Sequence, residues 1–302
     1  MPNTLAHIAL HSLTFHRVRV PFVIILLGCF IPDIPWILQR LYLGLGLGEE
    51  SVRTVAYFTA QASLAVCLIA CIALCTLFDR WKIAFPVLMA GCAVHLVLDA
   101  LQDKWGNGVH LLAPFDWTLQ SFPVVGTTTA LITVISIAGL LPFVGFKRIR
   151  SDARSITFSR VRMTIGLVVA LTYLLLPMLF IDAVIESNAR YLSLLAAPET
   201  RTGELIELDR EQLYADGEEY LITTPVGEDL RIASSPEPLV PGETSLRGYF
   251  VSSTALRVVE VRREHGHRDT LSIVGLSLIL AWLFAVAVAR VRMSPMTEEQ
   301  RL

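Results

Sequence analysis

The chain has 302 residues, of which 54% are hydrophobic and 17% charged, and its formal net charge is −2. Its mean hydropathy is +0.58. Charged residues make up about a quarter of an ordinary soluble domain, so this composition indicates an integral membrane protein. No basic tail or patch points to a nucleic-acid partner. The N-terminus lacks the pattern of a cleaved signal peptide.

Residues 3–33 predict a helical hairpin. The first helix, over 5–15, carries His7 on a polar stripe. The second apolar run, 20–31, has only 12 residues and is followed by Pro-Asp-Ile-Pro. A helix needs ~20 apolar residues to cross a membrane, so both helices are expected to be internal or re-entrant.

The hairpin brings two ionisable residues together. With a turn near 16–19, His7 and Asp33 lie about 15 and 21 Å from the turn at 1.5 Å per residue. In an antiparallel pair, their side chains should therefore lie near the same end, about one helical turn apart. We expect His7 and Asp33 to face one site.

Five later apolar runs are each long enough to cross a hydrocarbon core as a helix. They cover residues 54–78, 83–102, 126–146, 163–185 and 270–289. The loop 147–162 has six Lys or Arg and one Asp, so the positive-inside rule makes it cytoplasmic. Loops 44–53, 103–125 and 186–268 are then extracytoplasmic.

The long insert 186–268 has a different composition. Its short segments are rich in strand-forming residues and are separated by Gly, Pro, Asp and Ser. Five strands in about 65 residues fit a small barrel or sandwich, for which an OB-like barrel is the best match. The expected domains are a membrane domain over 1–185, this β-domain over 186–268, and a last helix with a cytoplasmic tail over 269–302.

The stretch HLVLDALQDKWGNGVHLLAPFDW, residues 95–117, is unusually rich in ionisable groups. His95, Asp99 and Asp103 follow at i, i+4 and i+8, so they share one helix face. Ionisable residues at membrane depth cost free energy and usually have a function. Together with His7 and Asp33, they should converge on the outer leaflet.

Imidazole and carboxylate groups in this combination suit a divalent ion such as Zn²⁺ or Mn²⁺. A coordination position left to water would make the site hydrolytic. Each residue also has a structural alternative. Asp33 would serve as a helix cap, His95 as a hydrogen-bonded interior histidine, and Asp103 as a solvated helix end. His11 is a weaker candidate that would support the site.

The N-terminal 120 residues resemble the prokaryotic membrane-bound metal-dependent hydrolases, an inner-membrane family with LexA-regulated members. A short helix carrying His7 comes first in the shared pattern, and Pro32-Asp33 ends the next helix. His-x-x-x-Asp follows at 95–99, and then a Gly loop and Pro-Phe at 114–115. The resemblance implies metal-dependent hydrolysis at the inner membrane, with His7, Asp33, His95 and Asp99 as metal ligands.

The chain departs from this family in its middle. Members usually carry a His-Arg-x-x-Thr-His-Ser-type motif before the later histidine, whereas this chain has no histidine between His16 and His95. Gln61 and Ser63 stand near the expected place, but neither is a strong metal ligand. His110, or the Glu264–Arg268 stretch with its alternating His265 and His267, are candidates to complete the site.

Two functions remain open at this point, with a transport role third. The first is a hydrolase acting on a lipid or lipid-linked phosphodiester, in which Asp103 or His110 is the general base or acid. The second is a non-catalytic scaffold for the β-domain, with a structural metal or a hydrogen-bonded cluster. Membrane lipids are the expected surroundings, and the sequence leaves any protein partner of the β-domain undefined.

Overall fold

The computed structural model describes residues 3–49, 51–124, 130–144, 147–263 and 267–293. Within these ranges, the helices are α1 (Thr4–Thr14), α2 (Phe22–Phe30), α3 (Ile34–Gly44), α4 (Val52–Gln61), α5 (Leu64–Cys75), α6 (Trp81–Ala100), α7 (Ala130–Ala138), α8 (Lys147–Ser155), α9 (Arg160–Leu175), α10 (Ile181–Ser187), α11 (Leu192–Ala196) and α12 (His267–Met293). The strands are β1 (Leu205–Asp216), β2 (Glu219–Thr223), β3 (Asp229–Ser234), β4 (Gly242–Ser252) and β5 (Ala255–Arg263).

Four helical segments are long and apolar enough to cross a membrane: Phe22–Gly44, Trp81–Ala100, Arg160–Ser187 and Arg268–Met293. Two bent helix pairs raise the number to six if each pair counts as one span. Only 17% and 22% of the apolar windows of the last two segments are buried. Apolar surface exposed on this scale is typical of contact with lipid or another protein. The fold is therefore helical, with candidate membrane spans and a β-domain.

The structure corrects two of the predicted boundaries. The second helix of the hairpin does not end at Asp33, because a 3-10 turn over Ile31–Asp33 leads directly into α3. Pro32 and Pro35 occupy the first positions of the turn and of α3, where a missing N–H costs no hydrogen bond. The run 54–78 is not one straight helix, since α4 and α5 meet at 59°.

The predicted run 126–146 lies partly outside the described residues. Over its described part, Ala130–Phe143 pairs with Arg148–Ser155 at a bend of 76°.

A close helix crossing joins α2 to α6. A Cβ added at Gly91 would lie 2.9 Å from the Gly28 Cα, nearer than real Cβ contacts allow. Without side chains at Gly28 and Gly91, the two backbones approach until Cys29 on α2 reaches His95 on α6. This crossing therefore sets the distance between two walls of the site described below.

The opposite end of α2 is fixed by Asp152 of α8. Its buried carboxylate accepts hydrogen bonds from the backbone N–H of Phe22 and Val23, at 2.8 and 3.0 Å, and from Trp282 Nε1 at 2.8 Å. The first N–H groups of a helix have no partner within the helix, so this carboxylate caps α2. It also ties α2 to α8 and α12.

The five strands form a closed barrel in the order β1-β2-β3-β5-β4. All neighbouring strands are antiparallel except β3 and β5, which are parallel. The prediction of five strands is confirmed, although β1 runs further than expected, to Asp216. A bulge between Leu208 and Glu211 interrupts its pairing with β4. Arg210 in this bulge has a φ of 64°, a strained value for a non-glycine residue.

Candidate metal site

Four of the residues predicted from the sequence lie close together, and we call them the His/Asp cluster: His7, Asp33, His95 and Asp99. The Nε2 of His7 lies 3.3 Å from Asp99 Oδ1. The Nε2 of His95 lies 3.5 Å from Asp33 Oδ1 and 3.8 Å from Asp99 Oδ2. All four residues are buried. Helices α1 and α6 and the turn after α2 therefore deliver their polar groups to one place.

The two histidines are held in fixed orientations. Their rings are stacked, with centroids 3.9 Å apart and planes 5° from parallel. His95 Nδ1 lies 2.6 Å from the carbonyl oxygen of Cys29, to which it donates in the tautomer that leaves Nε2 unprotonated. Metal-bound histidines usually make this kind of second hydrogen bond, because it aims the other nitrogen at the ion.

The cluster fits a divalent metal ion better than it fits a hydrogen-bond network. Ligand atoms 2.0–2.2 Å from one ion are separated by about 2.8–3.6 Å at tetrahedral or octahedral angles. The observed separations of 3.3, 3.5 and 3.8 Å fall within or just above that range. Among the described residues, Nε2 of both histidines and Oδ1 of both aspartates find no hydrogen-bond partner. Buried polar atoms without partners are rare, and a cation shared by His7, His95 and Asp99 would satisfy three of these four.

Three members of the cluster alone provide a ligand set. One atom from each of His7, His95 and Asp99 lies within 4.8 Å of the other two. Asp33 lies beside this set, with its Oδ1 3.5 Å from His95 Nε2. The site thus offers two nitrogen and at least one oxygen donor, a combination common for zinc and manganese.

His11 supports the cluster from behind. Its Nδ1 lies 2.8 Å from the carbonyl oxygen of His7 and its Nε2 lies 2.9 Å from that of Gly91. A neutral imidazole can donate to only one of these carbonyls. Since His11 belongs to α1 and contacts the Gly91 carbonyl of α6, it helps to hold the two histidine-bearing helices together.

Lys104 is a member of the site that the sequence analysis missed. Its ammonium group lies 3.8 Å from Asp99 Oδ2, and its side chain is 6% exposed. A buried lysine is uncommon unless it is paired. The only sequence signal was its position beside Asp103, at the end of the polar helix face.

A cavity of about 520 Å³ opens beside the cluster, between the helices and the barrel. Asp33 and Asp99 line it on one side. On the barrel side, its lining includes Arg210 and Glu211. Its apolar wall is formed by side chains such as Phe30, Trp36, Leu43, Leu96, Ile273 and Leu276. The cavity lining therefore combines charged and hydrophobic side chains.

The structure separates the two residues predicted as general acid or base. His110 is buried and lines the cavity, and its ring packs edge-on against Trp117 at 5.4 Å. Burial lowers the pKa of His110 to about 4, so its imidazole is neutral near pH 7. Asp103 is absent from the described lining, and its carboxylate pairs with Arg262 of β5 at 2.7 Å.

The barrel contributes a further carboxyl group that sequence reasoning did not select. Glu211 follows the strained Arg210, and burial together with Asp209 and Glu243 raises its pKa to about 8. Nothing in the strand pattern distinguishes Glu211 from the other acidic residues of the insert. Its importance comes from the bulge, which turns this part of β1 toward the cavity.

The region that should carry the family's middle histidine motif is also buried. Gln61 and Ser63 are fully buried, and their side-chain polar atoms make no hydrogen bond within the part of the chain that the structure describes. They lie at the bend between α4 and α5. Of the other candidates, His265 lies outside the described residues, and His267 begins α12 instead of continuing a strand.

The chain matches no family model, no curated protein and no solved structure. The resemblance to the membrane-bound metal-dependent hydrolases therefore stays a prediction.

Proposed function

We propose that the protein is a membrane-embedded, metal-dependent hydrolase that acts on a lipid or lipid-linked phosphodiester. The observation that carries this proposal is the His/Asp cluster at the edge of a cavity, where buried ligand atoms of His7, His95 and Asp99 lie close together without a hydrogen bond to any described residue. Zn²⁺ or Mn²⁺ is the proposed cofactor. Bound there, it would act as a Lewis acid and lower the pKa of a water molecule.

The protein's own residues then have distinct tasks. The His/Asp cluster would hold the cation, and the Cys29 carbonyl fixes the ring of His95. His110 is neutral at the working pH and accepts a proton from the attacking water. Lys104 lies beside Asp99 and pairs with an anionic oxygen of the substrate. Water adds to phosphorus, and the bond to the departing alcohol breaks as that alcohol takes up the proton that His110 accepted from the water.

The cavity supports an amphipathic substrate. Its lining combines Lys104, Arg210 and Arg268 with the apolar wall that contains Trp36 and Leu43. A phosphate group would lie among the cations near the His/Asp cluster, while an acyl or prenyl chain would pack against the apolar wall. Cavities of this size commonly bind small ligands.

We infer a multi-pass topology in the inner membrane with the barrel outside. The positive-inside rule supports a cytoplasmic 147–162 loop. If Phe22–Gly44 and both bent pairs cross, there are six crossings, one more than the sequence analysis expected, with α1 as a short additional helix. The strand order of the barrel supports an OB-like assignment. The His/Asp cluster would then lie toward the outer leaflet.

The proposal is tested by metal-dependent turnover in vesicles. The protein is stripped with a chelator, reconstituted with Zn²⁺ or Mn²⁺, and assayed against a panel of phospholipids and prenyl-linked phosphodiesters. We expect turnover that requires the metal and is lost in Asp99→Asn. His110→Gln should keep the metal but slow turnover by about 10²–10⁴-fold, whereas exposed His16→Gln should have no effect.

A non-catalytic scaffold is the second candidate, and the Lys104–Asp99 pair favours it. The ammonium group offsets part of the negative charge of the cluster even without a metal. A protein that binds metal stoichiometrically but hydrolyses nothing in the panel would support this reading and exclude the hydrolase.

A further inference from the structure

The loop that follows α6 passes from the His/Asp cluster into the barrel; we call residues 103–108 the Trp105 loop. Trp105 itself is 2% exposed. The guanidinium groups of Arg247 on β4 and Arg262 on β5 lie 4.5 and 4.6 Å from its ring centroid. Such cation–π contacts are strongest where water is excluded. The barrel therefore holds this indole ring through two arginines.

Residues on either side of Trp105 are also attached to the barrel. Arg262 donates to Asp103 Oδ2 at 2.7 Å, and Glu207 Oε2 accepts from the N–H of Gly106 at 2.8 Å. Gly106 has a φ of 61°, and a Cβ there would lie 2.2 Å from the Glu207 carbonyl oxygen. Only glycine allows this close approach. Three of four consecutive residues are thus bound by barrel side chains.

Lys104, the remaining residue of the stretch 103–106, contacts the His/Asp cluster instead of the barrel. While its neighbours contact the barrel, its ammonium group lies 3.8 Å from Asp99, within the candidate metal site. A lysine side chain has many rotamers and is not fixed by one ion pair. The attachment of Trp105 and Gly106 to the barrel restricts the backbone from which Lys104 extends.

We propose that the barrel positions Lys104 beside the His/Asp cluster by holding Trp105, so that the barrel is a working part of the site. This inference rests on the proposed metal site. A fixed positive charge there has two effects. It weakens binding of a divalent cation, because like charges repel strongly where burial limits screening. It also provides a counter-charge for an anionic substrate group beside the metal. Trp105 acts through Lys104 and is therefore a positioning residue.

The test is a double-mutant cycle on Zn²⁺ affinity, measured by chelator competition on full-length protein in detergent. Lys104→Met should raise the affinity by about tenfold or more, because it removes the repelling charge. Trp105→Ala should raise it in the same direction, since Lys104 is then released. In the Lys104→Met background, Trp105→Ala should have no further effect. A gain of affinity cannot result from general damage to the fold.

Three variants complete the design. Trp105→Phe keeps a ring between the arginines and should bind Zn²⁺ like the wild type. Trp81→Ala removes an exposed tryptophan at the start of α6, the helix that precedes the Trp105 loop, and should change nothing. If Trp105→Ala does not fold, Arg262→Gln replaces it in the cycle, since it removes one side of the contact with the indole ring.

The outcomes separate this inference from the proposed function. If Trp105→Ala changes the affinity equally with and without Lys104, or Lys104→Met does not raise it, the inference is wrong while the metal site stands. A wild-type protein that binds no Zn²⁺ would overturn both.

Discussion

At the residue scale, the decisive feature is how the side chains of the His/Asp cluster are oriented, because their polar atoms lie close together without hydrogen bonds among the described residues. His95 Nδ1 contacts the Cys29 carbonyl oxygen, and His95 Nε2 faces Asp33 and Asp99. Two buried carboxylates this close to one imidazole would repel each other without a compensating charge. Lys104 supplies one positive charge next to Asp99. A divalent ion would supply the remaining positive charge and would bind the unpaired atoms of His7, His95 and Asp99.

Glu211 gives a prediction about pH at this scale. Its folded-state pKa of about 8 lies above the ordinary carboxyl value of 4.5. Between these values the folded protein holds a proton that the unfolded chain has released, so stability falls as pH rises from 4.5 to 8 and then levels off. Glu211→Gln should remove this loss, on the order of a few kcal/mol.

Thermal unfolding in detergent at a series of pH values checks this. The difference in Tm between Glu211→Gln and the wild type should grow with pH across that window. An exposed substitution in the same strand, Gln212→Ala, should leave the pH profile of the wild type unchanged. A difference that is constant with pH would show that Glu211 does not keep its proton in the folded protein.

At the element scale, the site depends on how closely α2 and α6 cross. The glycines at the crossing let backbone contact backbone, and the His95–Cys29 hydrogen bond lies one turn away. At its other end, α2 is fixed by Asp152. The 3-10 turn after α2 then sets the direction of Asp33. The crossing and the Asp152 cap thus position the elements that carry Asp33, His95 and Asp99.

Gly91→Ala should damage both stability and the site. The new Cβ would lie 2.9 Å from Gly28, so the helices must separate. Overpacking of this kind costs about 1–3 kcal/mol, and moving the Cys29 carbonyl should also weaken metal binding. The control is Gly44→Ala at the end of α3, where a Cβ meets nothing within 4 Å. Thermal unfolding and metal titration of both variants test this, and equal behaviour of the two would contradict it.

Much at this scale was readable from the sequence. Hydrophobic run length located α6, α9–α10 and α12, and the turn residues of the insert located all five strands. Helical spacing put His95 and Asp99 on one face, and hairpin geometry put His7 near Asp33. The predicted end of the second hairpin helix was wrong, because Pro32-Asp33-Ile34-Pro35 resembles the end of a helix. Prolines at the first positions of a new turn instead let the chain continue.

At the scale of the whole molecule, helices and barrel share one cavity. The sequence separates these parts, because the insert starts about 80 residues after the polar helix face. Contacts such as Trp105 with Arg247 and Arg262, or Lys104 with Asp99, depend on how the two parts pack. No local pattern encodes that packing. The barrel half of the site, including Arg210 and Glu211, therefore could not be predicted from the sequence.

The most direct test of the account is the metal content of the purified protein. Elemental analysis after incubation with Zn²⁺ or Mn²⁺ and removal of the excess should find about one divalent ion per chain. His95→Asn and Asp99→Asn should lose it, whereas the exposed controls His16→Asn and Asp116→Asn should retain it. A wild-type protein without stoichiometric metal, or cluster variants that bind as much metal as the controls, would contradict the account.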